Sequence, residues 1–141
     1  MRYRLAAAWA VAGSAVAALA LSAPSVAHHS FSSEFDATRP VAVEGNITKV
    51  RIVNPHGWLF LDVKNPDGSK TNWGFEFGSP AALKARALNR EELKVGSKIK
   101  ISGYRARNTG PYGYAQTAEL SDGRTFKVGG APDAPVARAA R

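Results

Sequence analysis

Between residues 41 and 63 apolar and polar positions alternate as in a half-buried strand, and the alternation slips once. Val43 and Ile47 share one parity, while Val50 and Ile52 take the other. Side chains on a strand alternate faces, so the slip predicts a bulge or bend within a strand over 41–53. A bent first strand can serve both halves of a small closed sheet. Pro55 has no N–H to donate, so pairing should stop there and His56 should fall at the rim. Leu59, Leu61 and Val63 alternate along a second strand over 58–64, and Trp73, Phe75 and Phe77 along a third over 71–77. These side chains are the predicted core. Asn65-Pro66-Asp67-Gly68 joins the two strands as a turn, with proline presetting φ and glycine taking the left-handed position.

Ser79-Pro80 is a helix start, an N-cap followed by proline at the first helical position. The pattern continues to Leu88, with Leu83 and Ala87 four apart on one face. Asn89 and Glu92 have the spacing of a second, short capped turn. Ile99 and Ile101 alternate with lysines in a fourth strand over 98–105. A Gly, Pro and Tyr loop follows over 108–114. A last hairpin, 115–120 and 124–128, turns at Asp122-Gly123. The fold class that follows is mainly β: an OB-like Greek-key barrel of five to six strands, with one short helix between strands three and four. The competing arrangement is a small open sheet with one helix packed on it.

The flanks change the domain count. Arg2 and Arg4, an Ala-rich apolar run from Leu5 to Leu21, and the small residues Ser25-Val26-Ala27 form a secretory signal peptide over 1–27. Cleavage after Ala27 leaves one domain, 28–128, in the periplasm or outside the cell, with no membrane span. Its N-terminal arm, 28–40, should lay Phe31 and Phe35 on the barrel and break from the first strand at Thr38-Arg39-Pro40. Residues 129–141 carry no pattern and are expected to be a disordered tail. Losing Arg2 and Arg4 lowers the basic count from 19 to 17 against 11 carboxylates, leaving about +6. Those charges are scattered as on a solvated surface, although an anionic glycan is a partner they would suit. With no cysteine, thiolate metal sites and thiol redox chemistry are excluded.

Candidate chemistry rests on the three histidines, His28, His29 and His56. Cleavage after Ala27 would make His28 the N-terminus. A terminal histidine can chelate a metal through its α-amino group and its imidazole together. His56 would supply a third nitrogen, with His29 as an alternate ligand and Asp36 or Glu34 in support. A nitrogen-rich tetragonal set favours Cu(II). Catalysis has less behind it: there is no Cys nucleophile, no Gly-x-Ser-x-Gly elbow and no Gly-rich phosphate loop. Glu76 alternates with an aromatic face and is expected to point to solvent. Trp58, Phe60, Tyr104, Tyr112 and Tyr114 are a candidate stacking face for bases or sugars, but are better read as completing the core. An exported location also argues against nucleic acid.

His28-His29-Ser30-Phe31, Phe35-Asp36, Val43-x-Gly45, Asn54-Pro55-His56-x-Trp58, Trp73-x-Phe75-Glu76 and Leu93-x-x-Gly96 resemble the DUF6152 family of small exported bacterial proteins of unknown function. The resemblance spans about residues 28 to 128. It implies hallmark positions at His28, His29, Phe31, Asp36, Asn54, Pro55, His56, Trp58, Trp73 and Glu76, and no established activity or ligand. The expected function is a non-enzymatic exported binding module for a metal ion, most favourably copper, or another small ligand. The alternatives are a metal-free envelope module meeting a protein or an anionic glycan, and a copper-dependent oxidative enzyme.

Overall fold

The computed structural model describes residues 30–136. These form a mainly β fold with a few short helical segments. The elements are helix α1 (Phe31–Glu34), strands β1 (Phe35–Arg51), β2 (Gly57–Lys64) and β3 (Lys70–Phe77), helix α2 (Pro80–Ala85), a 3-10 turn (Arg90–Glu92), and strands β4 (Lys98–Ala106), β5 (Tyr112–Leu120) and β6 (Thr125–Lys127). Sheet order is β3-β2-β1-β4-β5-β6, with antiparallel neighbours. β3 also pairs with β5, in parallel, matching Gly74 with Tyr112 and Glu76 with Tyr114. Each strand from β1 to β5 therefore has a partner on both edges.

β1 makes this possible by bending. Residues 46–51 pair with β2 and residues 35–46 with β4, and the β1–β2 register slips between Ile47 and Lys49. That slip is the bulge implied by the change of parity. Gly45 lies at the crossing, where a Cβ would collide with the Asp62 carbonyl. The strand begins earlier than the Thr38-Arg39-Pro40 break suggests. It pairs with β4 from Phe35, and the proline falls where that register is irregular, so its missing N–H interrupts little.

The interior core joins Ile47, Leu59, Leu61, Trp73, Phe75, Phe77, Ile99 and Ile101, with Val63 half-buried against it. Each fully buried large side chain of this set contributes about 2–3 kcal/mol of transfer free energy. Leu83, Leu88 and Leu93 extend this core from the β3–β4 connection. Ser79 Oγ accepts a hydrogen bond from Ala82 N at 3.3 Å, and Pro80 occupies the first turn. The helix is shorter than the pattern predicts. Ala87 N–H donates to Lys84 O and Leu88 N–H to Leu83 O, closing the helix with Ala87 at φ 59°. Leu88, rather than Ala87, is thereby turned into the core beside Leu83. Asn89 and Glu92 form the reciprocal cap that their spacing predicts.

A second, smaller core lies outside the sheet. Phe31, Phe35, Ala106 and Tyr114 are buried together, with Tyr104, Ala131 and Ala134 against them. Phe31 meets Tyr104 and Tyr114 edge-on, at centroid distances of 5.5 and 5.1 Å. The arm therefore packs as its two phenylalanines suggest. The segment after Gly129 lies against this core and β5 as far as Pro135. It has no helix or strand, yet Ala131 N donates to Tyr114 Oη at 3.0 Å and Gln116 Nε2 donates to Pro135 O. Asp133 accepts from Phe31 N at 3.0 Å.

Candidate functional site

His56 lies between the end of β1 and the start of β2, immediately after the cis Asn54–Pro55 peptide. The next residue is pressed against β3: a Cβ on Gly57 would collide with the Phe77 ring. The corner is therefore held at the last residues of β3, where Gly57 pairs with Phe77 and Trp58 with Glu76. This brings His56 Nδ1 to 3.2 Å from Glu76 Oε1.

Glu76 corrects the sequence reading, which placed it in solvent. It is only 9% exposed. Its alternation with Trp73, Phe75 and Phe77 does direct it away from the interior core. The outer face at that point is covered too, because β5 pairs alongside and the tail crosses there. A Cβ on Gly130 would come within 2.6 Å of Gly78 Cα, so the tail passes almost backbone to backbone over the end of β3. Burying a carboxylate is costly unless it is paired and hydrogen-bonded. The imidazole of His56 supplies such a pairing. A carboxylate accepts, so Nδ1 carries the hydrogen in the neutral ring and Nε2 carries the lone pair.

Beyond the imidazole lies a cavity of 480 Å³, lined by Asn54, Pro55, His56, Ser79, Ala82, Gly130, Ala131 and Pro132. The corner supplies one wall, the cap of α2 another, and the tail the third. The tail residues were missed by the sequence reading. Their only local signal is the Gly129-Gly130 pair, whose need for close approach shows only against Tyr114 and Gly78. Tyr114 borders the same region. Burial pushes its phenol pKa up, and the charge of Glu76 adds to that, against the opposing bond from Ala131 N–H.

The other candidate residues divide. Trp73 belongs to the interior core and Phe31 to the outer one. Asn54 and Pro55 line the His56 cavity. Asp36 does not join it. Its Oδ1 accepts from Thr38 N at 2.9 Å and Thr38 Oγ1 at 2.7 Å, and these bonds, the side-chain one first, hold its pKa below the usual carboxylate range. Glu34 and Trp58 line a different cavity. His28 and His29 lie outside the described residues. Among the described residues no three His, Asp or Glu side chains gather closely enough to hold a metal. The candidate aromatic face also divides: Tyr104 and Tyr114 pack on the arm, whereas Trp58, Phe60 and Tyr112 form their own group beside it.

The model of one protein family of unknown function, DUF6152, matches residues 15–115. The chain belongs to the DUF6152 family. The match covers β1 to β4, the His56 corner and Glu76, and stops within β5. It leaves out β6 and the tail that completes the cavity in this DUF6152 protein. No curated protein and no solved structure matches the chain. Among the described residues no helix is long and apolar enough to cross a membrane.

Proposed function

We propose that this protein is an exported, non-enzymatic binding module that takes Cu(II). In this reading the protein is processed after Ala27 and works in the periplasm or outside the cell. The ligands are the α-amino group and imidazole of His28 and Nε2 of His56, with His29 as the alternate. The observation that carries it is the His56–Glu76 pair at 3.2 Å on the edge of a cavity. A carboxylate on one ring nitrogen of a ligating histidine fixes the tautomer, aims the other nitrogen and raises its basicity. Glu76 suits that role, for which the sequence alone points to Asp36 or Glu34.

Chain connectivity supports the convergence. Pro132 lines the His56 cavity, the next residue, Asp133, is bonded to Phe31 N, and Ser30 precedes Phe31. Consecutive Cα atoms are about 3.8 Å apart, and only two peptide bonds separate His28 from Ser30 along the sequence. The donor set, nitrogen without sulfur, suits Cu(II) over softer ions. We read the fold as an OB-like Greek-key barrel. The support is the pairing of β3 with β5 and the placement of α2 between β3 and β4. A metal-free envelope module that meets a protein or anionic glycan draws on the packed arm and the exposed rings, and copper-dependent oxidation draws on neither.

Calorimetric titration with Cu(II) tests the reading, using protein that starts at His28 beside protein carrying one extra N-terminal residue. The expected result is tight 1:1 binding by the first, at least about 100-fold weaker binding by the second, and a comparable loss in His56→Ala. Equal weak binding by all three removes the proposal. N-terminal sequencing of the exported protein checks the premise.

A further inference from the structure

Among the described residues, Trp58, Phe60 and Tyr112 are the aromatic side chains that neither core absorbs. Trp58 and Phe60 stack at 6.1 Å with their planes 22° apart, and Tyr112 meets Trp58 edge-on at 6.5 Å. Tyr112 is 41% exposed. Its ring is nonetheless seated. A Cβ on Gly74 would come within 2.9 Å of Tyr112 Cδ1, and one on Gly110 within 2.8 Å of Tyr112 Cδ2. Two glycines thus shape a slot for a ring that stays in contact with water. Incomplete burial gives such a ring little transfer energy. What the slot does provide is a rigid aromatic surface.

Trp58 and Tyr112 border a cavity of 440 Å³ with Phe35, Glu34, Arg107 and Asn108. That volume is in the range of small-molecule sites. The polar part of the lining is anchored. Arg107 N donates to Glu34 O at 2.8 Å, and Arg107 Nε donates to Ser32 O at 2.9 Å. Asn108 Oδ1 accepts from Gly110 N at 3.2 Å, which leaves the amide NH2 as the group it can offer a ligand. The lining therefore combines an acceptor carboxylate with guanidinium and amide donors. The lining carries one residue of each charge, Glu34 and Arg107, and so selects for neither sign. Hydroxyl groups suit both, because each donates one hydrogen bond and accepts others. A flat apolar face bearing several hydroxyls is the chemistry of a pyranose ring.

We propose that this cavity binds an uncharged saccharide ring, its C–H face on Tyr112 with Trp58 standing edge-on beside it, and its hydroxyls on Glu34, Arg107 and Asn108. The site is separate from the His56 cavity and does not rest on the copper reading. Tryptophan fluorescence and calorimetry of the full exported chain test it, with chitotetraose, cellotetraose and tetragalacturonate as probes. At least one of the two neutral tetrasaccharides is expected to bind and shift the tryptophan emission. Tyr112→Ala should weaken that binding about tenfold, the scale of one lost aromatic stacking contact, with an unchanged melting temperature. Glu34→Gln should weaken it as well. His56→Ala should bind the sugar as the native protein does, and Tyr112→Ala should bind Cu(II) normally, so the two readings fail separately. Absence of binding by both neutral probes overturns the proposal. So does binding by tetragalacturonate alone that salt abolishes, or native affinity in Tyr112→Ala.

Discussion

The carboxylate of Asp133 accepts a hydrogen bond from the backbone N–H of Phe31 at 3.0 Å, across 102 positions of chain. Asp133 Oδ2 also accepts from Ser32 N at 3.4 Å. The two ends of the domain are thus fastened to each other at the start of α1, over the buried Phe31 ring. The arm that would carry the copper chelate is held by a residue from the opposite end of the domain.

That bond sets a pH dependence. The Phe31 N–H, and then the Ser32 N–H, hold the Asp133 carboxyl below the usual aspartate range. Its folded pKa therefore lies below that of the unfolded chain, about 3.9. The stability it contributes is fully present above that value and is lost as pH falls through the lowered one. Melting temperatures measured from pH 6 to pH 2 should fall less steeply with acid in Asp133→Asn than in the native protein. Parallel curves would contradict this.

Ala87 takes φ 59°, a conformation that disfavours any residue with a Cβ, to end α2. Ala87→Gly removes that strain, roughly 1–2 kcal/mol, against an entropic cost of about 0.5–1 kcal/mol for the more flexible unfolded chain. The net expectation is a gain of about 0.5–1 kcal/mol, read as a higher urea midpoint with an unchanged slope.

His56→Ala deprives the buried Glu76 carboxylate of its imidazole partner, and should cost about 1–3 kcal/mol at neutral pH. Glu76→Gln removes the charge and should cost less. The double variant should be more stable than the sum of the two single losses implies, because both single changes remove the same His56–Glu76 contact. Chemical denaturation of all four proteins completes the cycle, and simple additivity would deny the coupling.

Gly130→Ala places a methyl group 2.6 Å from Gly78 Cα, where only backbone can give way. The expected cost is about 1–3 kcal/mol, from displacement of the tail. Amide exchange should quicken first at Ala131, whose N–H is held by Tyr114 Oη, while β1 to β4 stay protected. Uniform loss of protection would show instead that the tail and the sheet unfold together.

Most of the strand plan is legible in the order of residues. The parity change at Ile47 marks the bulge, Asn65 to Gly68 marks a turn, and Ser79-Pro80 marks a helix start, because each depends on a few adjacent residues and their backbone preferences. The helix end is less legible, since Ala87 bears a strain that becomes worthwhile only when Leu88 reaches the core.

By itself the sequence determined which positions alternate, where the backbone turns, and that His56 stands at a corner beside the sheet. The tertiary structure alone decided that Glu76 is buried beside His56, that Asp133 fastens Phe31, and that Tyr112 lies in a slot between glycines. Alternation reports that a side chain leaves one face of a strand. It carries no information about what covers the other face, because that depends on segments brought together only when the strands pair.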